Sequence, residues 1–361
     1  MINQAYPSFS RKILEYFNDI YERNWYTEGK YTNLALDKFS DKTNLKNVLP
    51  VPNGTLGIFL AILSLDLPPK SKIIVPSFTF YGSVTPILFA GHIPVFADCC
   101  SETYQMKLDD IKSVYTNDIK ALMTIPIYGQ TSELEKIQEF VKKENLAWIE
   151  DCAQAIGVFY NDTHLGSFGD VAIFSTFSDK SFSSGEGGLI TSKDDNIFEK
   201  IKYLRNQGRL SSGTFNHDSL GMNFRITDMQ AALMYEQLCR WEEIRSQRQE
   251  TWKIFKDSFE ELKIVSPQKF VNINDSVPFR FAFTSSHKDY LEKIIQNAGM
   301  STRGFFMPIH LQPKMEDYRL NDLTKSVNLW KTGLALPIHQ KVRKCDILKV
   351  ASEIKSASGN L

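Results

Sequence analysis

The chain alternates short, β-branched apolar runs with longer segments of helical periodicity between about residue 50 and residue 195. The apolar runs that we predict to be strands are 73–75, 94–96, 121–127, 147–150, 171–174 and 188–191. Most of them lack a polar face, which is typical of strands covered on both sides. Because strands alternating with helices are typical of a sheet with crossover connections, the sequence predicts an α/β fold.

The rest of the chain predicts a second and smaller unit. At 361 residues the chain has the length of about two ordinary domains. The elements predicted beyond the sheet are a helical stretch over 228–262, strands near 279–284 and 304–307, and helices near 288–298 and 344–355. We therefore predict a large domain over residues 1–235, which begins with a helical segment, and a small C-terminal α+β domain over residues 236–361.

The composition limits the partners and the compartment that we expect. Lys+Arg and Asp+Glu each total 42, so the formal net charge is zero and no overall field attracts nucleic acid or an anionic membrane. The five cysteines form no CxxC pair and have no spacing typical of a zinc site, which fits a reducing compartment. No apolar run approaches the roughly 18 residues of a membrane helix. We expect a cytoplasmic protein with no metal, nucleic acid or membrane partner.

Two short segments occupy positions where α/β folds bind ligands. Asn53-Gly54-Thr55 opens a predicted helix, and the exposed N–H groups and positive end of a helix suit a phosphate. A plain capping role is the alternative. Glu150 and Asp151 end a predicted strand, and ligands lie beyond the carboxyl ends of such strands. Taken alone, the second segment favours Asp151 as a turn cap and Glu150 as a solvent-facing residue.

A lysine follows the strand predicted over 171–174. Lys180 lies among aromatic residues, where desolvation can lower the pKa of a lysine and make its amine a nucleophile for Schiff-base chemistry. The alternative is an ordinary surface lysine. The glycines at 185–188 do not form a dinucleotide-binding fingerprint, because they lead into a strand. A further Gly-containing segment at 220–228 precedes the long helical stretch and carries two potential anion ligands.

Taken together, these segments resemble the DegT-type family of pyridoxal-phosphate-dependent sugar aminotransferases. The family patterns are matched at 53–55, 75–80, 127–130, 149–157, 166–188 and 221–226. The resemblance continues to residue 337 and so covers nearly the whole chain. It implies the fold type I of pyridoxal-phosphate-dependent transferases, the aspartate aminotransferase fold. In that fold, helices sandwich a mostly parallel mixed sheet in the large domain, and a smaller α+β domain follows.

The resemblance also implies the catalytic residues and the contacts to the cofactor ring. Lys180 would bind pyridoxal 5'-phosphate covalently and later move the proton at the substrate carbon. Asp151 would pair with the pyridinium nitrogen and keep it protonated, so that the ring acts as an electron sink. Gln154 would donate a hydrogen bond to the ring hydroxyl oxygen, and Phe80 would stack on the ring face.

The phosphate contacts that the resemblance implies come from two subunits. Gly54, Thr55 and Ser175 would hold the phosphate from the same chain as Lys180. Asn223 would reach the phosphate from a neighbouring chain. We therefore expect a homodimer with shared active sites.

The substrates that the resemblance implies are L-glutamate as amino donor and a nucleotide-linked keto sugar as acceptor. The segments at 25–31, 205–208 and 303–310 look like those of members that aminate C4 of 4-keto-6-deoxy sugars, such as GDP-perosamine synthases and enzymes that form dTDP-4-amino-4,6-dideoxyglucose. This favours C4 over C3. Tyr31, His217 and His310 are predicted substrate contacts. A catalytically idle relative that binds the cofactor or a sugar nucleotide as a regulator is the alternative.

Overall fold

A seven-stranded sheet forms the centre of the computed structural model, which describes residues 1–209, 213 and 215–358. The first nine strands are β1 (Val48–Val51), β2 (Lys72–Pro76), β3 (Ile93–Ala97), β4 (Ile119–Thr124), β5 (Ala147–Asp151), β6 (Phe159–Tyr160), β7 (Thr163–His164), β8 (Val171–Ser175) and β9 (Gly188–Ser192). The order in the main sheet is β1-β9-β8-β5-β4-β2-β3, and β6 and β7 form a separate two-stranded ribbon. Strands β2, β3, β4, β5 and β8 run parallel, and β9 is antiparallel to both of its neighbours. The predicted α/β fold with a mostly parallel mixed sheet is confirmed.

Helices cover both faces of this sheet. The helices in this part of the chain are α1 (Lys12–Arg23), α2 (Lys30–Thr43), α3 (Gly54–Ser64), α4 (Thr85–Phe89), α5 (Leu108–Lys112), α6 (Leu134–Glu144) and α7 (Asp195–Arg205). Alternate strand residues enter different cores: Ile74 belongs to one buried cluster, and its neighbours Ile73 and Val75 belong to another. The uniformly apolar strands of the sequence are therefore explained by coverage on both sides.

The C-terminal part of the chain builds a second sheet. The predicted helical stretch over 228–262 is two helices, α8 (Asp228–Cys239) and α9 (Trp241–Phe259), which are separated at Arg240. The remaining elements are β10 (Ser266–Pro267), β11 (Phe281–Thr284), α10 (Lys288–Asn297), β12 (Arg303–Gly304), α11 (Thr324–Thr332), β13 (Gly333–Leu336) and α12 (Lys344–Ser358). The four strands pair antiparallel in the order β10-β11-β13-β12. The domain boundary predicted at residue 235 falls within α8 and stays a prediction.

Several elements differ from the sequence-based expectation. Strand β4 ends at Thr124, three residues earlier than predicted, and a short turn of 3₁₀-helix follows at Ile127–Gly129. The short strands β1, β6, β7, β10 and β13, of two to four residues each, were not predicted. In the part of the chain that the structure describes, no helix is long and apolar enough to cross a membrane.

Candidate active site

One cavity of about 420 Å³ opens at the carboxyl ends of β2, β4, β5 and β8. The start of α3 forms one end of it, and residues of the C-terminal sheet close the side opposite the main sheet. Seven of the eight predicted cofactor-binding residues line this cavity: Gly54, Thr55, Phe80, Asp151, Gln154, Ser175 and Lys180. The strand ends therefore bring together residues that lie up to 126 positions apart in the chain.

The end of the cavity at α3 is a cradle for an anion. Asn53 caps the helix by accepting a hydrogen bond from Leu56 N at 2.9 Å, which leaves the first N–H groups of the helix facing the cavity. Gly54 lies against Ser175, and a Cβ at Gly54 would come 3.1 Å from the Cβ of Ser175. The absence of a side chain thus lets the Ser175 hydroxyl approach the helix N-terminus. Backbone N–H groups, a hydroxyl and the helix dipole together fit a phosphate.

Asp151 ends β5 with its carboxylate fully buried. Its Oδ2 accepts a hydrogen bond from Ser83 Oγ at 2.6 Å, and its Oδ1 accepts one from Ala153 N at 3.1 Å. Burial raises the pKa of Asp151, whereas these hydrogen bonds and the charge of Lys180 lower it. A carboxylate held in this way at the wall of a cavity can also accept a hydrogen bond from a protonated ring nitrogen.

Lys180 is not a surface lysine, because its side chain is only 16% exposed. It lies in the loop after β8, with Nζ 3.9 Å from Asp179 Oδ1 and 4.9 Å from the centre of the Phe279 ring. Burial lowers the pKa of Lys180, and the charges of Asp179 and Asp151 partly oppose this. The amine is therefore desolvated and lies in the same cavity as Asp151, which is the environment of a nucleophilic lysine.

Gln154 and the aromatic residues complete the walls. Gln154 Oε1 accepts a hydrogen bond from Tyr128 N at 2.7 Å. Among the described residues we find no partner for Nε2 of Gln154, so this amide can donate to a ligand. Phe80 is exposed, with its ring 6.0 Å from the ring of Phe306. Tyr128 has a left-handed backbone (φ 58°), which turns its N–H toward Gln154. It belongs to the matched segment 127–130, but no role for Tyr128 was predicted from the sequence.

The charged side of the cavity was not predicted from sequence. Asp179 Oδ2 accepts hydrogen bonds from Arg280 Nη2 and Arg303 Nη1, both at 3.2 Å. Burial lowers the pKa of the Arg280 guanidinium to about 10, and the charge of Asp179 opposes this shift. A sequence signal for Arg280 exists, because it stands between Phe279 and Phe281 at the start of an otherwise apolar strand.

None of the three predicted substrate contacts lines the cavity, and two of them are buried. Tyr31 is buried on α2, where its ring packs between the rings of Tyr16 and Tyr235 at 4.9 and 6.3 Å. His310 is also buried, and its Nδ1 lies 2.6 Å from Ser77 Oγ. Both side chains are held by the protein core instead of facing a ligand in this chain.

Asn223 and His217 lie outside the cavity on a separate exposed groove. Asn223 Oδ1 accepts a hydrogen bond from Arg225 N at 3.1 Å, and His217 Nδ1 lies 2.8 Å from Gln207 O. The structure of a single chain therefore does not bring either residue to Lys180. Both remain accessible to another molecule.

Glu150 is fully buried, in contrast to the solvent-facing position expected from its segment alone. It accepts hydrogen bonds from the backbone N–H groups of Gly166, Phe168 and Gly169 at 2.7–3.0 Å. Burial raises the pKa of Glu150, and these three donors oppose the shift. Glu150 thus fixes the loop that leads into β8, while the next residue, Asp151, faces the cavity.

We expect Glu150→Ala to lower the free energy of unfolding by about 3 kcal/mol, because three backbone N–H groups lose their acceptor. Urea unfolding followed by circular dichroism at one fixed protein concentration measures this change. Glu139→Ala, at an exposed position on α6, is the matched control and should change stability by less than about 0.5 kcal/mol. Equal midpoints for the two variants would contradict the role of Glu150.

A desolvated lysine, a buried aspartate and an anion cradle around one cavity fit a pyridoxal-phosphate-dependent aminotransferase. The model of the DegT/DnrJ/EryC1/StrS aminotransferase family matches residues 7–355, and the chain belongs to this family. The resemblance noted in the sequence, the transferase class and the fold are thereby confirmed. Membership of this family implies pyridoxal phosphate as the cofactor.

Three similar proteins cover nearly the same length. A GDP-perosamine synthase from Escherichia coli O157:H7 is 30% identical over 351 residues, 96% of this chain and 96% of that protein. A GDP-perosamine synthase from Vibrio cholerae is 32% identical over 325 residues, 88% of each chain. The crystal structure of the aminotransferase TlmJ from Streptoalloteichus hindustanus superposes with a TM-score of 0.94 at 22% identity, over 100% of this chain and 99% of that chain. The structural match shows a shared fold.

Proposed function

We propose that this chain transfers an amino group from L-glutamate to the keto group of a nucleotide-linked 4-keto-6-deoxy sugar, at C4 rather than C3. The observation that carries the proposal is the presence of Lys180, Asp151 and the N-terminus of α3 around one cavity. Similarity to two GDP-perosamine synthases makes a GDP-linked sugar the first acceptor to test. The five unpaired cysteines favour the cytoplasm as the place of the reaction.

The residues of the cavity fit pyridoxal phosphate. The N–H groups at the start of α3 and the Ser175 hydroxyl would hold its phosphate, Asp151 its ring nitrogen, Gln154 Nε2 its ring hydroxyl and Phe80 one ring face. When bound, the cofactor supplies an electron sink for the bond that breaks at the substrate carbon. The protein contributes the fixed positions of these contacts, which stay the same in both half-reactions.

Lys180 performs the proton transfers in this proposal. Its burial favours the neutral amine, which can take the proton from the carbon of L-glutamate that carries the amino group. In the second half-reaction the same amine returns a proton to the former keto carbon of the sugar. The hydrogen bonds that Asp151 accepts from Ser83 and Ala153 favour its negative charge at the far side of the cavity while the proton moves.

The visible absorption spectrum of the purified protein, recorded before and after addition of L-glutamate, tests the proposal. We expect the cofactor band to shift when L-glutamate is added and to return when a GDP-linked 4-keto-6-deoxy sugar follows. dTDP- and UDP-linked sugars with the keto group at C4 or C3 serve as the comparison panel. A protein that shows no cofactor band after addition of pyridoxal phosphate would contradict the proposal and favour the idle regulatory relative.

We further propose that the active sites are shared across a homodimer. Asn223 is exposed and lies outside the cavity of its own chain. The same segment exposes the apolar side chains of Phe215, Leu220 and Met222, a cluster that a second copy of the chain would cover. An amide at that interface could reach the phosphate end of the partner's cavity.

Mixed dimers of an Asn223→Ala chain and a Lys180→Ala chain test this sharing. One of the two sites in such a dimer then holds both Lys180 and Asn223, so we expect about half of the sites to bind the cofactor with wild-type affinity. The Asn223→Ala homodimer should bind the cofactor about tenfold more weakly, as for the loss of one hydrogen bond. Asn216→Ala in the same exposed segment is the control and should bind normally. Mixed dimers without any activity would contradict shared sites.

A further inference from the structure

Two arginines share one carboxylate beside Lys180. Arg280 is 3% exposed, and it donates to Gln4 O as well as to Asp179. Arg303 is 52% exposed and lines the cavity, and its backbone is fixed by the pairing of β12 with β13. Asp179 can neutralise only one of the two guanidinium charges. The cavity therefore carries an excess of positive charge on this side.

Arg303 has the free hydrogen-bonding capacity. A guanidinium has five N–H donors, and the contact of Arg303 Nη1 with Asp179 at 3.2 Å uses one of them. Arg303 can also leave Asp179 at low cost, because Asp179 keeps its ion pair with the buried Arg280 and no buried charge is left alone. The exposed arginine is thus the one that can accept an anionic ligand.

The position of this charge decides which anion it suits. Asp179 precedes Lys180 in the chain, and its carboxylate lies 3.9 Å from Lys180 Nζ and 3.2 Å from Arg303 Nη1, so the reacting amine and the guanidinium border the same carboxylate. The α-carboxylate of an amino acid is attached directly to the carbon that reacts. The diphosphate of a nucleotide sugar is attached to C1, across the ring from a keto group at C4. The shorter reach favours the carboxylate.

We infer that Arg303 binds the α-carboxylate of the amino donor, and that Arg303 returns to its hydrogen bond with Asp179 when the sugar occupies the cavity. This inference rests on the proposed function. In that function, one cavity must bind first a charged amino acid and then a sugar ring that carries no carboxylate. The inference explains how the cavity can bind both. A carboxylate on the protein can take the place of the carboxylate that the second substrate lacks.

Arg303→Gln, tested on the cofactor-loaded protein, separates the two substrates. We expect the half-saturating concentration of L-glutamate, read from the cofactor spectrum in single turnovers, to rise at least tenfold. The half-saturating concentration of the GDP-linked sugar, measured on protein loaded with pyridoxamine phosphate, should change less than twofold. L-Glutamine keeps the α-carboxylate and lacks the side-chain carboxylate. Its binding, measured as a substrate or as a competitor, should therefore weaken in Arg303→Gln by the same factor as the binding of L-glutamate.

Two further variants serve as controls for the position and the charge of Arg303. Arg319→Gln removes an arginine that is 48% exposed and paired with Asp322 outside the cavity, and it should leave both concentrations unchanged. Arg303→Lys retains the charge and should recover part of the loss. An equal rise for donor and sugar, or a rise for the sugar alone, would assign Arg303 to the diphosphate and overturn the inference. A wild-type protein that does not respond to L-glutamate would instead refute the proposed function itself.

Discussion

Lys180→Ala should lower the rate of amino transfer at least about a thousandfold, within the range of a lost general acid–base group. The expected loss is large because Lys180 is the only lysine that lines the cavity among the described residues. The neighbouring cations, Arg280 and Arg303, cannot replace it, since a guanidinium does not give up its proton near neutral pH. The fold should persist, because a truncated side chain at a cavity wall leaves no packed neighbour unsupported.

The attachment of the cofactor gives a second readout for Lys180. After reduction with borohydride, the mass of the wild-type chain should increase by that of the reduced cofactor, and the mass of the variant should not. Lys120→Ala, at an exposed position on β4, is the control and should behave as the wild type in both assays. Wild-type rates in the Lys180 variant would show that another group moves the proton.

The position of the site could be predicted because the carboxyl ends of parallel strands lie at the same edge of a sheet. An apolar run that is covered on both faces identifies a strand, and the residue after it lies at the edge of the sheet. Asp151 ends β5 and Lys180 follows β8, and these strands are neighbours in the sheet, so two separate motifs meet at one edge. The sequence alone left each motif with an ordinary explanation, and the family resemblance was needed to join them.

The charged side of the cavity could not be predicted in the same way. Asp179 and Arg280 are 101 positions apart. Asp179 follows β8 of the main sheet and Arg280 precedes β11 of the second sheet, so their contact depends on how the two sheets pack. Helix α2 was not predicted either, and the burial of Tyr31 follows from that helix. Its start is held by Asp228, which accepts a hydrogen bond from Thr32 N at 2.8 Å across 196 positions. Local patterns carry no information about such contacts.

Asp151→Asn should retain the cofactor and slow proton abstraction from L-glutamate at least about a hundredfold, which corresponds to about 2.7 kcal/mol. Asparagine has nearly the same shape as aspartate and can keep a hydrogen bond with Ser83, so the packing around β5 is preserved. What the substitution removes is the negative charge that stabilises a protonated ring nitrogen in a buried site. Without that charge the cofactor ring is a weaker electron sink.

A hydrogen-bond variant distinguishes the charge of Asp151 from its positioning. Ser83→Ala removes the 2.6 Å contact to Oδ2 and leaves the carboxylate in place, so its rate should fall less than about tenfold. The isotope effect with α-deuterated L-glutamate should increase in Asp151→Asn, because proton abstraction becomes the slow step. If Ser83→Ala is as slow as Asp151→Asn, orientation of the carboxylate outweighs its charge. Unchanged kinetics in Asp151→Asn would mean that another group holds the ring nitrogen.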